Sequence, residues 1–157
     1  MSHLIALMGA PGAGKSTWAK GQDVPVVSTD AIRHGADMRM VYRHAMAEVE
    51  YRLAHDMDVV FDATLANPVT REHLLEVAAR TDARTTLRVF GTPLSVCLER
   101  QAGRDIPVPD ERVRRSWQAI ASQLDDLSDE AWNVIVFVRG ADGEAGEAWP
   151  TPAGDGP

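Results

Sequence analysis

Residues 9 to 17 read Gly9-Ala10-Pro11-Gly12-Ala13-Gly14-Lys15-Ser16-Thr17, directly after the apolar run Leu4–Met8. They satisfy G-x-x-x-x-G-K-[ST] at every fixed position. Glycines let the backbone turn successive N–H groups inward as an anion nest, and a helix starting near Gly14 adds the positive end of its dipole. Lys15 then reaches the outer phosphates of a nucleoside triphosphate, and the Ser16 hydroxyl is placed to ligate Mg²⁺. The expected cradle comprises Gly9, Gly12, Ala13, Gly14, Lys15, Ser16 and Thr17, with ATP and Mg²⁺ as the groups it takes.

Outward from this loop, apolar runs alternate with longer segments of helical period, the pattern of β/α units wound into a parallel sheet. The strand segments are Leu4–Met8, Pro25–Ser28, Val59–Asp62, Thr86–Phe90 and Asn133–Val138. Continuous apolar runs of this kind suit parallel strands covered on both faces. Met38, Val41, Ala45, Val49, Leu53 and Met57 recur at spacings of three and four, which predicts a helix over 38–57 with one apolar stripe. Asn67-Pro68 supplies a cap and a first-turn proline for a helix through Leu74, Leu75 and Ala78; Thr92-Pro93 is read the same way for a helix through Val96 and Leu98. Pro107 and Pro109 break the chain before a helix presenting Val113, Trp117, Ile120 and Leu124. The fold class expected is α/β: a P-loop NTPase of kinase type, its five-stranded parallel sheet flanked by helices, with an arginine-bearing helical lid.

The chain has 157 residues, 45% hydrophobic and 25% charged, which suits one soluble domain and excludes general disorder. Its net charge is -7, so a polyanion would have to be held by a local basic cluster. Four of the acids, Asp142, Glu144, Glu147 and Asp155, fall in a Gly- and Pro-rich stretch without Lys or Arg, leaving -3 for residues 1–139. Residues 1–139 are therefore read as the domain and 140–157 as a flexible acidic tail. A single cysteine, Cys97, cannot pair within the chain, and five scattered histidines offer no metal-ligand spacing, so a reducing, cytoplasmic setting is expected. Leu4–Met8 is too short for a signal-peptide core or a membrane span.

Proteins with such a loop divide by the nucleophile they activate. Asp62 resembles a Walker B acid, but Ala63 follows it where a motor ATPase carries a water-activating Glu, and no Asn-Lys-x-Asp guanine motif occurs. Motor and GTPase readings are disfavoured. The second strand ends Ser28-Thr29-Asp30-Ala31-Ile32-Arg33, which places a carboxylate at the ligand crevice of an open parallel sheet. Asp30 is positioned to accept the proton of an attacking alcohol, and Arg33 to hold an anionic group on that alcohol's carrier. Arg100 and Arg104, four apart, are expected to clamp the donor phosphates from one helix face; with Arg112, Arg114 and Arg115 they form the chief positive cluster, a lid around 100–115.

These residues resemble the kinase module of the P-loop polynucleotide 5′-hydroxyl kinases of phage and bacterial end-healing enzymes. The resemblance runs from residue 3 to about 124, through Gly9–Thr17, Ser28–Arg33, Asp62-Ala63-Thr64 with Arg71, and Cys97-Leu98-Glu99-Arg100 with Arg104 and Val108-Pro109. It implies Asp30 as general base on a 5′-hydroxyl end of DNA or RNA, Arg33 on the phosphate beside the terminal nucleoside, and Arg104 with Arg100 on the donor. It also implies Asp62, Thr64 and Arg71 at the acceptor pocket. The interval from Lys15 to Asp30 is short, so the first helix is clipped, and phosphatase and ligase motifs are missing. Looser relatives phosphorylate small molecules such as nucleosides, antibiotics or sugar nucleotides, and the acidic charge leans toward them. A nucleotide-dependent binding module would leave Asp30 without a role.

Overall fold

The computed structural model describes residues 1–29 and 37–139; the expected tail, 140–157, lies outside them. Five strands form one parallel sheet in the order β2-β3-β1-β4-β5, with β1 His3–Met8, β2 Val26–Ser28, β3 Val59–Asp62, β4 Arg84–Gly91 and β5 Val134–Arg139. The central strand carries the phosphate loop at its C-terminal end. On one side Leu7 pairs with Asp62 of β3, and on the other Met8 pairs with Val89 of β4. The loop therefore leaves the sheet where its neighbours diverge, the crevice in which open parallel sheets bind ligands.

Helices cover both faces. On one, α2 Met38–Ala54, α3 Pro68–Arg80 and the 3-10 segment Leu124–Asp129 pack Val49, Leu53, Leu74 and Leu127 against Leu4, Phe61 and Leu87 of the sheet. On the other, α1 Lys15–Lys20, α4 Leu94–Ala102 and α5 Asp110–Ala121 pack Ala19, Cys97 and Val113 against Leu7, Val60 and Phe90. Burying each large apolar side chain stabilises the fold by about 1.5–3 kcal/mol.

The α2 stripe is shorter than the periodicity suggests. Val41, Ala45, Val49 and Leu53 are buried, whereas Met38 is exposed and the helix ends at Ala54. It ends because Asp56 adopts φ 55°, with Asp56 N–H donating to the Leu53 carbonyl and Met57 N–H to that of Arg52. Asp82 closes α3 in the same way, at φ 54°, with Ala83 N–H donating to Ala78. Both are Schellman closures with Asp, which tolerates the left-handed region, in place of the commoner Gly.

Asn67 caps α3 as expected, its side chain accepting from Val69 N–H ahead of Pro68. Thr92 does not cap α4. Pro93 holds the cap position, and the Thr92 hydroxyl instead donates to the Ala13 carbonyl at 2.7 Å, so it ties β4 to the phosphate loop. Asn133 is not part of β5; its Oδ1 accepts from Thr85 N–H and Oγ1, which anchors the approach to that strand.

Candidate functional site

The loop is built for close backbone approach. Gly12 and Gly14 have φ 86° and 100°, and a Cβ on Gly12 would lie 2.6 Å from the Cys97 carbonyl oxygen. Only glycine meets both constraints at position 12. Gly14 then caps α1, a helix of six residues, in accord with the short interval to Asp30. Gly9 N–H donates to the Thr64 carbonyl at 3.1 Å, so the start of the loop is tied to the turn after β3. Lys15, nearly buried, lays its ammonium across the loop and donates to the carbonyls of Gly9 and Ala10 at 2.7 and 3.0 Å.

Beside it the Ser16 hydroxyl donates to Asp62 Oδ2 at 2.7 Å. Asp62 is buried, and its Oδ1 has no hydrogen-bond partner. A hydroxyl oxygen next to a buried carboxylate with one unused oxygen is the donor set of a hard divalent cation completed by phosphates and water. Among the described residues no three His, Cys, Asp or Glu side chains cluster into a protein-only metal cage. The residues present thus fit Mg²⁺, with Ser16 and Asp62 as its protein-side neighbours.

The strand before Asp30 is anchored at this point: Ser28 pairs with Asp62 and Thr29 N–H donates to the Asp62 carbonyl at 3.3 Å. The expectations for Asp30 and Arg33 themselves fall outside the described residues.

A cavity of about 360 Å³ lies over the loop, where Lys15, Ser16 and Thr17 meet Thr64, Arg104 and Arg112; among the described residues no carboxylate lines it. A second, of about 680 Å³, lies beside the loop, and Arg100 and Arg104 line it together with Ala13, Gly14 and Thr17. Arg100 Nη1 donates to the Gly12 carbonyl at 3.4 Å, a long and therefore weak bond. The two arginines do not share one helix face, because α4 ends at Ala102 and Arg104 follows the Gly103 cap. Arg104 N–H donates to the Gln101 carbonyl, and that extra turn brings its side chain to the same cavity.

Arg71 differs most from its expected place. It is buried, and its guanidinium donates to Glu130, to the Gln123 side chain and, at 2.7 Å, to the Leu65 carbonyl. Leu65 has φ 54°, a left-handed conformation that costs a branched residue about 1–2 kcal/mol. Arg71 thus braces the turn that sets Thr64, and through the Thr64 carbonyl the entry to the phosphate loop. Neither cavity beside the loop is lined by it. It is therefore a positioning residue, because its donors are turned to the protein and not to an acceptor.

Sequence reasoning also missed Trp18, Arg88 and Phe90, which line the larger cavity. The signal was there: Arg88 interrupts the apolar run Leu87-Arg88-Val89-Phe90 of a central strand, where a charge needs a reason. Cys97 supplies its backbone to the loop, not its thiol; burial pushes that thiol up to about 11 despite the nearby charges of Lys15 and Arg100, so it stays protonated.

A family profile for the AAA domain matches residues 4–127. The chain belongs to the AAA domain family. Its parallel α/β sheet matches those of solved P-loop kinases. One similar structure is in the Pnkp1/Rnl/Hen1 RNA repair complex, at TM-score 0.69 and 19% identity, covering 77% of this chain and 44% of that one. Another is a gluconokinase from Sinorhizobium meliloti, at 0.59 and 21%, covering 89% and 83%. A third is Kti12 of Chaetomium thermophilum in complex with ADP-AlF3, at 0.64 and 17%, covering 90% and 91%. The chain spans less than half of the first of these. No curated protein sequence matches it significantly. At these identities the likeness shows the fold, which this AAA domain shares with a chain of an RNA repair complex and with a gluconokinase. Among its described residues no helix is long and apolar enough to cross a membrane.

Proposed function

We propose that the protein is an ATP-dependent polynucleotide 5′-hydroxyl kinase, transferring the γ-phosphate to a 5′-OH end of DNA or RNA. The observation that carries this reading is the distribution of cations in an acidic chain. Arg100, Arg104 and Arg112 surround the phosphate loop, and a groove of about 710 Å³ between α2 and α3 adds Arg39 and Arg43 beside Tyr42, with Glu76 and the Arg80–Glu50 pair also lining it. Guanidiniums interleaved with an aromatic ring suit a phosphodiester chain end better than a neutral sugar.

In this reading Asp30 takes the proton of the 5′-hydroxyl as its oxygen bonds to the γ-phosphorus, and the bond from that phosphorus to the β–γ bridging oxygen breaks to release ADP. Lys15, Arg100 and Arg104 hold the donor phosphates, while Arg33 holds the phosphate next to the acceptor nucleoside. Asp62 and Thr64 border the acceptor side. Ser16 and Asp62 would hold Mg²⁺, which would supply neutralisation of charge on the phosphates.

The test incubates the full chain with γ-labelled ATP, Mg²⁺ and a 5′-hydroxyl oligonucleotide. Label on the oligonucleotide, lost in Asp30→Ala while nucleotide binding survives, is the expected result. Label entering a sugar or nucleoside instead establishes the small-molecule reading, which the gluconokinase likeness supports. Nucleotide binding without transfer to either acceptor would leave a binding module.

A further inference from the structure

The cavity of about 680 Å³ beside the loop continues away from Gly14 and Thr17 to Trp18, Phe90 and Val138. Its volume suits a nucleoside, and a nucleotide whose phosphates lie in the loop must project its base out of it. Trp18 and Phe90 meet edge to face, with ring centroids 6.4 Å apart. Over them lies Arg88, whose guanidinium carbon is 4.5 Å from the Trp18 centroid and 5.8 Å from that of Phe90.

Arg88 has no hydrogen bond or ion pair to another described residue; its Nε is buried without an acceptor, and among the described residues no Asp or Glu lines the cavity. Arg88 is half-buried, and that burial pushes its pKa down. If Arg88 only filled space, a leucine or methionine would do so without that cost. Its position over the Trp18 ring holds the fork beside the cavity, and the fork presents donors and no acceptor. Its complement is a flat ligand edge with two adjacent acceptors. Guanine and hypoxanthine offer N7 and O6 on one edge, whereas adenine offers N7 beside an N6 donor, which opposes the second N–H.

We propose that Arg88 reads the N7/O6 edge of a purine in this cavity, so that the donor site favours guanine and hypoxanthine nucleotides over adenine nucleotides. The proposal rests on the loop being a nucleotide site and narrows the donor; ATP remains usable through N7 alone.

The test is calorimetric titration of the full chain with ADP, GDP and IDP in Mg²⁺. These products avoid turnover and need no acceptor. GDP and IDP should bind about tenfold more tightly than ADP. Arg88→Met should bring the three to within about twofold and leave the melting temperature unchanged or raised. Equal affinities in the wild-type chain, a preference for ADP, or tight GDP with IDP as weak as ADP would each overturn the assignment while keeping the nucleotide site. The wild-type comparison decides even if the variant does not fold. Absence of binding by all three would overturn both readings, whereas a merely structural Arg88 would leave the GDP-to-ADP ratio unmoved by its replacement.

Discussion

Replacing Arg71 with methionine separates a brace from an acceptor contact. The substitution keeps an unbranched side chain in the buried space but removes the charge from an ion pair in which Arg71 is 2% and Glu130 21% exposed. Breaking a buried pair by removing one partner costs about 3–5 kcal/mol. The lower end applies, since Glu130 can rehydrate and still accepts from Trp132 Nε1 at 2.8 Å. The Leu65 carbonyl is worse placed, being left in a left-handed turn without its donor. For a domain of this size about 3 kcal/mol corresponds to a melting temperature lower by about 6–12 °C. Thermal unfolding followed by circular dichroism reads this directly, and urea titration gives the free energy. Adding Glu130→Gln should restore part of the loss, because the uncompensated carboxylate is then gone. Relaxation of the Thr64 turn should also weaken nucleotide binding through the Gly9 tether. A melting temperature within about 2 °C of wild type, with acceptor KM raised and nucleotide affinity unchanged, would refute the brace and return Arg71 to the acceptor pocket.

Asp62→Asn removes the charge beside the unpartnered Oδ1, so Mg²⁺-dependent nucleotide affinity should fall about 10- to 100-fold with little change in EDTA. An unchanged Mg²⁺ dependence would exclude Asp62 from the metal site. Gly12→Ala combines left-handed strain of about 1–2 kcal/mol with a Cβ 2.6 Å from the Cys97 oxygen; both stability and nucleotide binding should drop, and a wild-type melting curve would contradict this geometry. His3 has its pKa lowered, first by burial and then by Arg84, with Asp58 opposing. Its folded value thus lies below the unfolded 6.5, so its contribution is present above pH 6.5 and lost as pH falls through the folded pKa. His3→Gln should flatten the melting temperature between pH 7 and 5 relative to wild type, and parallel curves would remove His3 as a cause.

What could be read from the sequence was what depends on neighbours in the chain. The phosphate loop is a local conformation written in glycines, and the Asn67-Pro68 helix start is a local capping choice. The strands are continuous apolar runs because a sheet covered on both faces needs them. The surroundings of Arg71 are illegible for the opposite reason. Its partner Glu130 lies 59 residues on, and no pattern around position 71 distinguishes a guanidinium facing the protein from one facing a ligand. Thr92-Pro93 has the local pattern of a helix cap, yet the Thr92 hydroxyl reaches across 79 residues to Ala13. Arg88 is the intermediate case: a charge inside a buried strand signals that something unusual is held there, but only the folded chain shows that Trp18 lies beneath it and that no described carboxylate stands opposite. The motif therefore identifies the phosphates, while the identity of the base and of the acceptor depends on side chains brought together from different strands and helices. That is why likeness at 17–21% identity leaves both to be measured.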